Sequence, residues 1–351
     1  MYTYHENEER VAILDCTLRD GGQGLENLNK SGIKTEIFTE EDKKNIIANL
    51  EDTGIEIIEI GCMTENSIGE AGQFAIYSNI ETLSKYMPKY KKKEIMYTGL
   101  YIDPDTPIDS IPYYSPDLVE GVRVIIRYSQ LQKSIDFCKA LAQKGYKVFI
   151  QPMLTMRYKN DELERLVYAA NEMGAYALYF VDSYGYMDEL DVDRLYRFYS
   201  EKLDANVKIG FHAHNNMDNA FCNAKYFLER LNDHDRIIDA CVNGMGQGAG
   251  NLQTEILVNY LNTKYNTNYN FEKILETCEI LDKFKKHDIE TWGYSPLRLI
   301  PAIHKCAYKY ANVMRKEYNM SYKEINNVLK TIPLELKQRY TRENMNEILN
   351  I

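Results

Sequence analysis

One unit recurs through the first three quarters of this 351-residue chain. A polar cap leads into an amphipathic helix, a glycine stops it, and a short β-branched strand follows, at a spacing of roughly 30 residues. The clearest copy is "FTEEDKKNIIANLEDTGIEIIEIG". Thr39 is placed to cap a helix whose first turn carries Glu40, Glu41 and Asp42, where negative charge is favoured. Ile46, Ile47 and Leu50 form the apolar stripe, Gly54 ends it, and Ile55–Ile60 alternate as a strand. Gly145 and Gly174 punctuate two further copies. Eight strands follow from the pattern: 11–17, 55–60, 94–101, 121–127, 147–152, 177–182, 207–214 and 237–243. Apolar strands alternating with helices imply a parallel sheet covered on both faces. Eight of them in about 250 residues fit a closed (β/α)8 TIM barrel. An open doubly wound sheet is the alternative, but no GxGxxG follows the first strand.

Past residue 272 the strands cease. The expected organisation is a barrel over 1–272 and a helical C-terminal subdomain over 273–351. "FEKILETCEILDKFKKH" reads as one helix, Pro301 as the start of another, and Ser321 with Glu324 as a capping box.

Charge and composition exclude several functions. A net charge of −10 argues against nucleic acid or an anionic membrane surface as a partner. No run approaches the ~18 apolar residues of a membrane helix. The polar start "MYTYHENEER" does not read as a signal peptide, so a cytoplasmic protein is expected. Seven scattered cysteines without a CxxC pair suit reduced thiols.

In a parallel barrel, chemistry gathers where the strands end. Four ends here are rich in polar groups: "TLRDGGQG", "DSYG", "HAHNN" and "NGMGQGAGN". His212 and His214 are two apart on one strand, so both point to the barrel mouth. Such a pair is also compatible with two hydrogen-bonded polar residues on a half-exposed strand. Its position, and a carboxylate expected from the first strand, favour a metal site for Zn²⁺, Mn²⁺ or Fe²⁺. That carboxylate is Asp20, and Arg19 beside it offers fixed positive charge for an enolate or carbonyl oxygen. Gly21 and Gly22 suggest a tight turn with close approach of backbone to a ligand. "GMGQGAGN" lacks the Lys-Ser/Thr of a P-loop, which weakens a phosphate reading. Asn251 either reaches the metal through its amide oxygen or caps the next helix. None of these strand ends carries a lysine, so carbonyl chemistry here would use a metal as Lewis acid rather than a Schiff base.

Taken together, "LDCTLRDGGQ", "HAHNN" and "GMGQGAGN" resemble the DRE-TIM metallolyase superfamily of HMGL-like domains. That group includes 4-hydroxy-2-oxovalerate aldolases, hydroxymethylglutaryl-CoA lyases, and isopropylmalate and homocitrate synthases. The resemblance implies a divalent metal held by Asp20, His212 and His214, with Asn251 a further ligand. Mn²⁺ is the foremost candidate, with Mg²⁺, Zn²⁺ or Co²⁺ as alternatives. It also implies that Arg19 stabilises enolate charge and that Ser183 contacts the carboxylate of a 2-oxo acid. The stretch from Gly293 resembles the helical communication domain of the 4-hydroxy-2-oxovalerate aldolases. The expected activity is therefore cleavage or formation of a 4-hydroxy-2-oxo acid through a pyruvate-type enolate. Claisen-type condensation of an acyl-CoA with a 2-oxo acid is the alternative. A further alternative is a non-catalytic scaffold with a vestigial metal site. The C-terminal helices could bind a partner dehydrogenase or a second copy of the chain. One departure stands out: the aldolases carry a histidine base where this chain has Gln23. Another group, Tyr294 or a bound water, is then needed to move the proton.

Overall fold

The computed structural model describes residues 2–3, 10–64, 72–230, 234–285 and 291–349. Eight strands run parallel: β1 (Arg10–Asp15), β2 (Ile57–Met63), β3 (Met96–Tyr101), β4 (Gly121–Ile126), β5 (Lys147–Pro152), β6 (Ala177–Asp182), β7 (Lys208–Ala213) and β8 (Arg236–Ala240). Each pairs with the next, and β8 returns to β1 with Ile237 beside Ala12 and Asp239 beside Leu14. Pairing of Leu14 with Ile57 closes the ring. The eight expected strands are all present, with ends displaced by a few residues. Two-residue strands at Tyr2–Thr3 and Ile76–Tyr77 flank the barrel sheet.

The strand period of two divides each strand between two cores. Val11 and Ile13 of β1 pack outward beneath the helices, whereas Ala12 and Leu14 face the barrel axis with Ile57, Phe149, Tyr179 and Ile237. Gly210 makes room inside, because a Cβ there would overlap the Tyr179 ring. One step further toward the mouth, the inward positions of β2, β4, β5, β7 and β8 are Glu59, Arg123, Gln151, His212 and Asp239. The barrel interior is thus apolar below and ionic above.

The helix over Glu40–Thr53 follows the sequence reading closely. Thr39 caps it and exchanges hydrogen bonds with Asp42, and Gly54 closes it at φ 88°. After β1 the outcome differs. "TLRDGGQG" is no loop but the first turns of α1 (Thr17–Lys30). Asp15, just before it, accepts from the Thr17 amide and hydroxyl, both at 3.0 Å. Gly21 and Gly22 therefore serve packing rather than a turn. A side chain on Gly22 would overlap the Phe74 carbonyl, and one on Gly24 would sit 2.9 Å from the Gly246 carbonyl oxygen. Glycines let α1 lie flat against the loops that follow β2 and β8.

The helix Phe271–Leu281 belongs by packing to the barrel, since Ile274 and Leu281 join its outer core. A separate apolar cluster begins at Leu297, about twenty-five residues beyond the expected boundary at 272, and includes Tyr310, Met314, Ile325 and Met345. The helix expected from Pro301 is two helices, Pro296–Ile303 and Lys309–Glu317. Ser295 caps the first with Pro296 at its start, so Pro301 lies inside it. Ser321 and Glu324 form the expected capping box on Tyr322–Thr331. This C-terminal unit sits over the barrel mouth. Arg157 donates to the Lys305 and Leu334 carbonyls, and the Tyr184 hydroxyl donates to Gln338 at 2.6 Å.

Gly22→Ala is expected to lower the stability of the purified protein in a denaturant titration by about 3 kcal/mol, the upper range for overpacking a tight contact.

Candidate active site at the barrel mouth

Three donor groups converge where β1 and β7 end. Asp20 lies in the first turn of α1, His212 in β7, and His214 just past it. The two imidazole Nε2 atoms are 3.3 Å apart, and Asp20 Oδ2 is 3.2 Å from His212 Nε2. One ligand atom from each lies within 4.8 Å of the other two. Asp20 and His212 are positioned by regular secondary structure and His214 by its bridge to Asn251, which suits a site that must hold its geometry. Asn251 comes alongside by backbone pairing with His214. Its amide nitrogen donates to the Met245 carbonyl at 3.0 Å, yet its buried Oδ1 has no hydrogen-bond partner. A buried amide oxygen left without a donor costs free energy unless something electropositive meets it. Two imidazoles, a carboxylate and an orphaned amide oxygen therefore fit a divalent cation. Asn251 is not a helix cap, because the next helix starts at Thr254 behind Gln253.

The glycines of "GMGQGAGN" serve this arrangement. A Cβ on Gly246 would strike the Asn251 amide, and one on Gly248 would come 2.8 Å from Asn216 Oδ1. Asn216 in turn accepts from the Ala249 amide at 2.7 Å and donates to the Tyr184 carbonyl at 2.9 Å. The loop is wrapped around two asparagines, and no phosphate cradle is needed to explain it.

Beneath the three donors runs a closed circuit of buried charge. Arg19 Nε donates to Glu59 at 2.7 Å, and Glu59 accepts from Arg123 at 2.6 Å. Arg123 also binds Asp239, whose Oδ2 is 2.8 Å from His212 Nδ1. His212 meets Asp20, and Asp20 returns to Arg19 at 3.1 Å. Gln151, with its amide oxygen toward Arg123, accepts two further bonds from that guanidinium. Every member of the circuit is buried.

The circuit sets the protonation states. Burial opposes charge on His212, but hydrogen bonds to Asp20 and Asp239 outweigh it and hold its pKa well above the usual value. Burial, with the charges of His212 and Arg19, pushes His214 down to about 4, so it is neutral. Burial alone would raise Asp20, but Arg19 and the two histidines hold its carboxyl far below the ordinary range. Asp239 is held low in the same way by Arg123 and His212. Because Asp239 takes His212 Nδ1, the Nε2 atom is the one left to face the mouth.

A cavity of about 650 Å³ opens above these groups. Arg19, Asp20, Gln23, Ser183, His212 and His214 line it from the barrel, and Tyr308, Lys309 and Tyr340 from the C-terminal unit. Gln23 Oε1 accepts from Arg19 at 3.3 Å. Ser183 Oγ accepts from the Leu154 amide at 2.9 Å, which leaves its hydroxyl hydrogen for a ligand. Tyr294 is not brought here: it is 58% exposed and outside the cavity lining. The structure offers Tyr308 instead, on the cavity wall, its phenol raised by burial and by the charge of Asp20. Lysines absent from the strand ends enter the cavity from α1 and from the C-terminal unit, as Lys30, Lys309 and Lys316. Glu59, Arg123, Gln151 and Asp239 escaped the sequence reading. Their signal was one polar or ionisable residue, at an inward position, in an otherwise apolar strand.

Comparisons with known proteins find relatives in sequence and in fold. Residues 115–281 match the HMGL-like family. A 4-hydroxy-2-oxovalerate aldolase of Geobacillus genomosp. 3 is 27% identical over 259 residues, covering 72% of this chain and 70% of the relative. An oxaloacetate decarboxylase of Mycobacterium tuberculosis is 27% identical over 248 residues, 70% of this chain and 68% of that protein. Among solved structures, an N-terminal domain of an aldolase candidate from Bacteroides vulgatus superposes with a TM-score of 0.73 at 23% identity, over 90% of this chain and 99% of that one. The hydroxymethylglutaryl-CoA lyase of Brucella melitensis gives 0.61 at 16% identity, over 78% and 98%. Among the described residues, no helix is long and apolar enough to cross a membrane.

Arg123→Met removes the cation shared by buried Glu59 and Asp239, leaving each with one charged partner, and is expected to cost about 3–5 kcal/mol in denaturant unfolding. A pH series is expected to show the histidine directly. With its folded pKa raised, His212 contributes stability that is whole below 6.5 and is lost as pH rises through the higher folded value. Metal-free His212→Gln is expected to lack that alkaline loss, read as the pH dependence of the urea midpoint.

Proposed function

We propose that this chain, which carries an HMGL-like domain of the DRE-TIM superfamily, is a divalent-metal-dependent aldolase that splits or forms a 4-hydroxy-2-oxo acid. The observation that carries the reading is the convergence of Asp20, His212, His214 and the orphaned Asn251 oxygen beside the buried Arg19 guanidinium. The names of the two sequence relatives share one demand. Aldol cleavage of a 4-hydroxy-2-oxo acid and decarboxylation of oxaloacetate both leave a pyruvate enolate. A site for either must hold a 2-oxo acid and stabilise negative charge on its carbonyl oxygen.

Asp20, His212 and His214 would hold the cation, with Asn251 as a further ligand and Mn²⁺ the foremost candidate. Bound there, the cation supplies Lewis acidity to the substrate's 2-oxo group. The protein's own groups supply the rest. Arg19 cannot swing, because Glu59 and Asp20 pin its guanidinium, so its charge is in place before charge develops. Ser183 donates its free hydrogen to the substrate carboxylate. In cleavage, the C3–C4 bond breaks, the 4-hydroxyl loses its proton, and its oxygen becomes the aldehyde carbonyl. Gln23 has no group able to take that proton. Tyr308, on the cavity wall, would relay it. The proton lost from the hydroxyl is balanced by the one the enolate takes at C3 to become pyruvate. In the synthetic direction the protonated phenol donates to the new alkoxide. The C-terminal unit closes over the cavity and limits water at the enolate.

Protein loaded with Mn²⁺ is expected to release pyruvate from 4-hydroxy-2-oxo acids, followed with a coupled pyruvate assay. Arg19→Met should lower kcat about 100- to 1,000-fold, as loss of one charge-stabilising donor does. Thiol release from acetyl-CoA with a 2-oxo acid, without aldol cleavage, would instead make the chain a condensing synthase. His214→Ala should purify without bound metal by elemental analysis. Retained metal in that variant would place the cation elsewhere.

A further inference from the structure

The cavity is unevenly charged. At its floor, Arg19 is balanced by Asp20 and Glu59. Its outer wall carries Lys30, Lys309, Lys316, Arg339 and Arg342 against one lining carboxylate, Glu317. The chain as a whole carries −10, so a five-to-one excess of cations in one wall runs against its composition. Some of this charge is answered locally. Glu26 pairs with Lys30 at 2.7 Å, and Glu317 takes Arg342 through two bonds of 2.6 and 3.1 Å. The rest is not. The Lys309 ammonium sits 5.1 Å from the Tyr340 ring centre and pairs with no carboxylate among the described residues. Burial, then the charges of Arg342 and Lys30, pushes its pKa down. Among the described residues, the Arg339 guanidinium makes no hydrogen bond or ion pair. Cations that line one cavity repel one another, and a bound anion relieves them.

The volume supports a second occupant. About 650 Å³ is far more than pyruvate fills, and the cationic wall belongs to the C-terminal unit and the end of α1, whereas the histidines come from β7 and the residue just past it. We propose that the substrate carries an anionic group at its end remote from the 2-oxo acid. The aldehyde released or consumed is then one bearing a terminal phosphate or carboxylate, seated by Lys309 and Arg339. This rests on the aldolase reading above. The bond changes are unaltered: C3–C4 breaks, the 4-hydroxyl proton leaves, and the distal anion takes no part beyond binding.

The experiment uses the full chain loaded with Mn²⁺ and has two arms. Exchange of pyruvate methyl protons in D2O, followed by NMR, reports the enolate without any aldehyde. Aldol addition is then measured for matched pairs: glyceraldehyde against glyceraldehyde 3-phosphate, and butanal against succinic semialdehyde. One charged member is expected to exceed its neutral partner in kcat/KM by about ten-fold or more, the worth of one charge-assisted contact. The pair that shows it identifies phosphate or carboxylate. The charged-to-neutral ratio should fall in Lys309→Gln and Arg339→Gln, and with added salt. Exchange without any preference for a charged aldehyde, or a preference unchanged in both variants, overturns the proposal. Absence of exchange overturns the aldolase reading, and the proposal with it.

Discussion

The site depends on a closed circuit of six buried side chains: Arg19, Glu59, Arg123, Asp239, His212 and Asp20. They come from α1 and from β2, β4, β7 and β8, so the circuit ties together elements on opposite sides of the barrel. Burying that many charges is costly, and mutual pairing is what makes it tolerable. Arg19, His212 and Asp20 would touch substrate or metal, whereas Glu59, Arg123 and Asp239 lie outside the cavity lining and hold the other three. Half of the circuit thus exists to aim the other half. A barrel is well suited to this, because its inward positions at one level all face a common axis.

The same circuit links protonation to metal binding. Without a cation, His212 keeps a proton between two carboxylates, and its charge balances them. A cation approaching Nε2 requires that nitrogen to be free, while Asp239 retains the Nδ1 side. Asp239 therefore fixes which nitrogen is offered, and Arg123 fixes Asp239. His214 is already neutral and available.

Much of this was legible in the sequence, and the exceptions share a cause. Local signals carried the repeat, the eight strands, the Thr39 and Ser321 caps, and His212 with His214 on one face. The role of the paired glycines was not local. "DGG" reads as a turn, but whether a glycine bends the chain or admits a neighbour depends on what packs there, and Phe74 lies far along the sequence. Pro301 misled for a similar reason: Ser295 and Pro296 supply the better start, and a first-turn pattern does not forbid a proline slightly later. Glu59, Arg123 and Asp239 are each unremarkable alone and acquire meaning only when the barrel closes. Tyr294 lies in the stretch that resembles the aldolases' communication domain, yet the packing of the C-terminal unit brings Tyr308 to the cavity instead.

The central claim is that the circuit presents His212 Nε2, with Asp20 and His214, to a divalent cation. Calorimetric titration of Mn²⁺ into the metal-free wild type and Asp239→Asn tests it most directly. One site per chain is expected in the wild type, weakened by about 10- to 100-fold in the variant, the usual effect of removing a carboxylate behind a ligating histidine. No binding to the wild type, or equal affinity in the two proteins, would contradict the account.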